Sequence, residues 1–336
     1  MMLMEEGRIL VSDPVSKYIP SFKKTTVAVP APPNAPAGTP PFAVVPAKRE
    51  ITIHDLLTKQ AGMGYPPRYL AATYAPLDLQ AFYFAHKTEP MSVVIDQIAR
   101  LPFTSQPGEK YENGFATDVL GVVIEKVSGM SLDEFFQTRI FEPLKMTDTS
   151  FYVPKDKAMR LAAVYAGNPK TGKIEEVKDL FGSSMPTYLE PPSMESGGGG
   201  LVGTIGDYAR FAQMIANKGE LDGARLLAPA SVEMMGTNMI PKSVLVSSNG
   251  IGATRFNEAV GFGLDFMVVN EPRAAGTLEG KGSMSWGGAA GTWFWVDPSN
   301  DLIFVGMIQR MGDTGGDSLQ TMSRTLTYQA LTHPER

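Results

Sequence analysis

Two hydrophobic periods divide this chain. Apolar residues recur at helical spacing over residues 53–59, 91–101, 116–127 and 132–140, and the third stretch puts Val119, Leu120, Val123 and Val127 on one face. Residues 205–218 repeat the pattern with Tyr208, Phe211, Met214 and Ile215, preceded by Thr204 as the expected N-cap and followed by Gly219 as the stop. A last helical pattern covers residues 318–331. Before it the period shortens to two. Residues 282–286, the run W-G-G-A-A-G-T-W-F-W-V-D-P at 286–298, and residues 301–309 read as an antiparallel meander, with Asp297-Pro298-Ser299-Asn300 as the last turn. Trp286, Trp293, Phe294, Trp295 and Phe304 are expected to alternate between the two faces of that sheet, with helices over at least one. Gly287 and Gly288 fit either a strand end that meets a ligand or a plain bulge.

Between these patterns lies residues 30–46, with seven prolines in seventeen positions. It reads as an extended surface segment, not to be forced into secondary structure; a lid and a connecting loop both remain open. Gly197 to Gly200 invites a phosphate-loop reading, but the Gly-Lys-Ser/Thr ending is missing, so no nucleotide site is expected. The nineteen methionines serve as adaptable core packing or line an apolar acyl pocket.

Composition narrows the chemistry. A 336-residue chain with 43% hydrophobic residues, 19% charged residues and a formal charge of −5 is an ordinary globular protein with no basic run to suggest nucleic acid. No cysteine occurs, which excludes disulfides and a thiol nucleophile. The three histidines, His54, His86 and His333, lie far apart without metal-ligand spacing, so neither a zinc site nor a Ser-His-Asp triad is supported. His54 and Asp55 are expected on a solvated helix face or in a cap-side hydrogen bond. The apolar run at 302–308 is too short to span a membrane, and no secretion signal is visible, so a cytoplasmic protein is expected.

Several short motifs carry a resemblance. Glu5-Glu6-Gly7-Arg8, Asp13-Pro14-Val15, I-T-I-H-D-L-L at 51–57, Ala61-Gly62, Pro107-Gly108, residues 140–149, the glycines at 197–200 and the W-G-G-A at 286–289 follow one another in a known order. In that order the chain resembles the class C β-lactamase-like serine hydrolases over essentially its whole length, above all their carboxylesterase branch, family VIII. The resemblance implies an α+β fold of the β-lactamase and penicillin-binding-protein-like transpeptidase type: an antiparallel sheet flanked by helices plus a mostly helical lobe. It implies a single domain over 1–336, with a helical lobe at 50–230, a sheet-containing lobe from 1–20 and 255–336, and the proline-rich surface segment at 30–46. No cofactor and no metal are implied. The partner would be a small ester or a β-lactam-like ligand, with no nucleic acid and no membrane, and with homo-oligomers as an option.

The family's nucleophile is a serine in a Ser-x-x-Lys motif at a helix start, and M-M-L-M-E-E-G-R resembles the end of that helix. The resemblance therefore implies that the Ser, the Lys and the N-terminal strands fall outside this chain, and that an uncovered sheet edge promotes association. One Ser-x-x-Lys does occur, Ser21-Phe22-Lys23-Lys24, but the T-T-V-A-V-P-A-P-P after it cannot continue a helix, so it is read as non-catalytic. Counting back from Asp118 to Gly121 puts Asn113 at the family's tyrosine position and Tyr111 at the preceding aromatic one. An amide has no useful proton affinity near neutral pH, so Asn113 can hydrogen-bond a substrate but cannot deprotonate a serine. Tyr111, as the start of a Tyr-x-Asn motif, is the candidate substitute; otherwise its ring packs beneath the site. Trp286-Gly287-Gly288 takes the place of the Lys-Thr-Gly strand of β-lactamases, and the Ala289 N–H would be one oxyanion donor. The expected protein is a carboxylesterase-type serine hydrolase for small carboxylic esters, inactive as written; the alternative is a non-catalytic homologue that keeps the cleft for binding or scaffolding.

Overall fold

The computed structural model describes residues 1–77, 89–168, 170–177, 179–180, 183–184, 188–247, 257–311 and 319–332. His86, His333, Ser318 and positions 255–256 of the expected sheet lobe lie outside them. The chain forms two compact units.

The first unit comprises residues 1–135, 192–200 and 240–257. Its elements are α1 (Met2–Glu5), β1 (Thr26–Pro30), β2 (Phe42–Pro46), α2 (Ile53–Leu57), α3 (Met91–Ile98), β3 (Pro102–Phe103) and α4 (Ala116–Ser128). The helical spacing read in the sequence decides what is buried: Met91, Val94, Ile95 and Ile98 of α3 and Val119, Val122 and Val123 of α4 enter one core with Ile53 and Leu56 of α2. α4 stops at Gly129, whose φ of 77° suits a residue without Cβ and whose N–H satisfies the Glu125 carbonyl. α2 starts with a capping box in which Thr52 and Asp55 exchange hydrogen bonds, and Arg49 adds a two-pronged pair to the same buried carboxylate. Asp55 thus takes the cap-side role rather than the solvated one.

Two expectations change here. The sequence division grouped residues 1–20 with the C-terminal sheet, yet they belong to this unit. The Val15 N–H donates to Ile51 O at 2.8 Å and the Ile53 N–H to Asp13 O at 3.0 Å, a backbone pairing that leaves no hydrophobic period to read. The proline-rich segment also ends in regular structure: β1 and β2 form an antiparallel hairpin from Thr26↔Pro46 to Pro30↔Phe42. In the strand order β2-β1-β3, β2 is an edge, where proline costs no ladder hydrogen bond.

The second unit comprises residues 136–191, 201–239 and 258–336. It holds α5 (Ile205–Ala216), the strands β4 (Val260–Phe262), β5 (Met267–Val269), β6 (Met284–Gly287), β7 (Thr292–Asp297) and β8 (Leu302–Met307), and α6 (Leu319–Gln329). The five strands pair antiparallel in sequence order. The predicted three-strand meander is therefore present, extended by β4 and β5, whose three residues each are too few to show a period of two.

Register places Trp295 opposite Phe304, with rings stacked at 4.1 Å, and Trp293 opposite Gly306. A Cβ on Gly306 would come within 2.4 Å of the Trp293 ring, so this partner must be glycine. α6 lies over that face: Trp293 Nε1 donates to Ser323 Oγ, and the Tyr328 hydroxyl donates to Asp297 Oδ2 at 2.6 Å. Fully buried Asp297 also accepts the N–H groups of Gly280, Ser299 and Asn300 and the Asn300 amide, which fixes the predicted turn. On the opposite face Phe294 meets Tyr208 of α5 at 5.0 Å. Helices cover both faces, and aromatics alternate between them as the sequence implies. α5 begins as expected, with Thr204 Oγ1 accepting the Asp207 N–H. Among the described residues no helix is long and apolar enough to cross a membrane.

Candidate active site

In the first unit, residues 111–113 are pinned by backbone. The Glu112 N–H donates to Lys59 O, the Tyr65 N–H to Asn113 O, and the Phe115 N–H to Met63 O. Gly114 bridges to Gly64, and a Cβ there would stand 2.0 Å from Met63 O, so only glycine allows this approach. The extended backbone then sorts the side chains. Tyr111 is buried at 6% exposure, Glu112 turns to accept the hydroxyls of Thr104 and Ser105 at 2.7 and 2.6 Å, and Asn113 is exposed. Asn113 thus presents an amide outward, whereas the ring of Tyr111 is enclosed.

Ser21 sits in a 3₁₀ turn, Pro20–Lys24, and donates to Asp96 Oδ1 at 2.6 Å, while Lys24 is exposed and β1 follows at once. The Ser21 hydroxyl is thus directed at a carboxylate from a short 3₁₀ turn, rather than set beside a lysine at the start of a helix.

One buried polar group escaped the sequence reading. Asp118, at the start of α4, accepts Ser196 Oγ at 2.6 Å and the Gly198 N–H at 3.1 Å, and the Gly198 and Gly199 N–H groups also donate to Ser196 Oγ. Burial pushes the Asp118 carboxyl up to about 6, against the pull of these hydrogen bonds and of the nearby Lys59 charge. A Cβ on Gly197 would lie 2.5 Å from Thr117 O and one on Gly198 2.9 Å from Asp118 Oδ2. Gly197 and Gly198 therefore serve close packing onto α4. No sequence signal links positions 118 and 196, which are 78 residues apart.

In the second unit, Trp286, Gly287, Gly288 and Ala289 share the end of β6. The Gly288 N–H donates to Thr292 O at 2.7 Å and the Gly291 N–H to Gly288 O, closing a hairpin whose tip carries Ala289. Gly287, Gly288 and Ala289 are exposed, and among the described residues the Ala289 N–H has no backbone acceptor. The Trp286 ring stands edge-on to Phe262 at 5.3 Å, which fixes the strand just before its open end. Among the described residues no cluster of three or more His, Asp or Glu side chains could hold a metal ion.

The family model described as Beta-lactamase matches residues 1–329. The chain belongs to the Beta-lactamase family. Among its relatives, protein Rv1367c of Mycobacterium tuberculosis (strain ATCC 25618 / H37Rv) is 34% identical over 322 residues, covering 95% of this chain and 75% of that protein. Esterase EstB of Burkholderia gladioli is 26% identical, covering 88% of this chain and 69% of EstB. Among solved structures, EstCE1, described as a hydrolase with promiscuous acyltransferase activity, superposes with a TM-score of 0.74 at 23% identity, over 97% of this chain and 80% of that one. This Beta-lactamase-family chain accordingly has the α+β fold of β-lactamases and penicillin-binding proteins, and the resemblance read from its motifs holds along its length.

Proposed function

We propose that this chain carries the framework of a carboxylesterase-type serine hydrolase for small carboxylic esters, and that its own residues do not complete the catalytic set. The observation that supports this most is the end of β6: an exposed strand terminus with a tryptophan, two glycines and an Ala289 N–H free to meet a carbonyl oxygen. A preorganised N–H aimed at a developing oxyanion is typically worth about 3 kcal/mol or more of transition-state stabilisation. EstB, an esterase by name, gives the same direction.

Acyl transfer also needs a nucleophile and a base. Asn113 cannot accept a proton near pH 7, and Ser21 is held by Asp96. A second reading, in which the protein binds ligands without turning them over, is favoured by Asn113 itself, an exposed amide in a segment tied by backbone hydrogen bonds to Lys59, Met63 and Tyr65.

The test is intact-mass analysis after treatment with a fluorophosphonate serine probe, beside any longer form that contains a Ser-x-x-Lys helix. No labelling and no ester turnover above background are expected for the 336-residue chain, with labelling of the longer form. Labelling of the 336-residue chain itself would overturn the reading, and a longer form that stays unlabelled would favour the binding-only alternative.

A further inference from the structure

Gly287 is opposite Trp293 in the β6–β7 ladder, so its missing side chain would point to the face covered by α6. The space is not empty. A Cβ on Gly287 would lie 3.4 Å from Gln320 Nε2 and 4.0 Å from Oε1, which places the Gln320 carboxamide against the end of the strand that carries Ala289. Any side chain longer than a methyl group at 287 would displace it.

The position of Gln320 is set by its surroundings. Ser323 Oγ accepts from Trp293 Nε1 and donates to the Gln320 carbonyl, which ties the first turn of α6 to β7. The side chain is half-buried, and among the described residues its carboxamide makes no hydrogen bond within the protein. A carboxamide presents two N–H donors. Held beside an open strand end, such donors suit oxygen lone pairs without bringing a full charge.

We propose that Gln320 is a binding contact for the substrate: its carboxamide donates to a carboxylate or ester oxygen held at the end of β6, in addition to the Ala289 N–H. The inference rests on the proposed function, because it names a further contact in the same ligand site.

The experiment is an NMR titration of the ¹⁵N-labelled 336-residue chain with sodium butyrate, following the Ala289 amide in wild type, Gln320→Leu and Gln320→Glu, and the Gln320 side-chain NH₂ in wild type. Expected are shifts of both groups along one binding curve, with affinity at least threefold weaker in Gln320→Leu and weaker still in Gln320→Glu, where a negative charge faces the anion. Should Ala289 shift while Gln320 stays still and both variants titrate as wild type, the Gln320 contact is wrong and the strand-end reading survives. Should neither group respond, both fall. Two variants at a half-buried helix position guard against misfolding of one, and a merely structural role would leave the NH₂ signal unmoved by butyrate.

Discussion

At the scale of single residues, Asp118 gives the clearest handle. Its folded-state pKa of about 6 lies above the ordinary 3.8, so the ionised form is the disfavoured one in the fold. The stability this group contributes is complete below about pH 3.8 and is lost as pH rises through about 6. A shift of that size corresponds to roughly 3 kcal/mol at about 1.4 kcal/mol for each unit. Asp118→Asn keeps an oxygen to accept from Ser196 and Gly198 but cannot ionise. Urea midpoints between pH 4 and 7.5 should fall in wild type and stay flatter in the variant; equal slopes would remove Asp118 as the source. This site was not legible in the sequence, because an acid beside an apolar helix face looks like any N-terminal helix acid until its distant serine is known. Asn113, by contrast, is singled out by a count of positions alone, and the structure shows it exposed.

Helices and strands were read unevenly, for a physical reason. α3, α4 and α5 are amphipathic over two turns or more, so their buried faces stand out in the sequence. Helical spacing over 132–140 was also seen, yet the chain changes there from α-helix at Leu132–Phe136 to a π-helical turn at Gln137–Phe141, and a period of 3.6 cannot report that change. Proline hides β1 and β2 in the sequence, because it argues against pairing, although the edge strand β2 tolerates it and β1 carries it only at its last residue. Thr204 does more than start α5: the Asp207 it caps accepts the Asp148 N–H and the Thr149 hydroxyl at 2.7 and 2.9 Å. Thr204→Ala should cost about 1 kcal/mol by loss of the cap, measured as a lower urea midpoint. Thr204→Ser should recover most of it, and an unchanged midpoint in the alanine variant would show that Asp207 holds the turn alone.

At the scale of the molecule, the sheet of the second unit ends at β8, and among the described residues no strand pairs with its outer edge. Leu302, Ile303, Phe304 and Val305 there are only half-buried. Open edges of this kind pair with other chains. Light scattering of the 336-residue chain should show association that rises with concentration and weakens in Val305→Lys; a monomer at every concentration would remove β8 as a sticky edge. The sheet also concentrates a different property. All three tryptophans, Trp286, Trp293 and Trp295, belong to the β6–β7 hairpin, and the first unit has none. Intrinsic emission therefore reports on a single hairpin, while circular dichroism averages over every helix, including α3 and α4. A denaturation curve that differs between the two signals would measure how independently each unit unfolds, with no label attached to either.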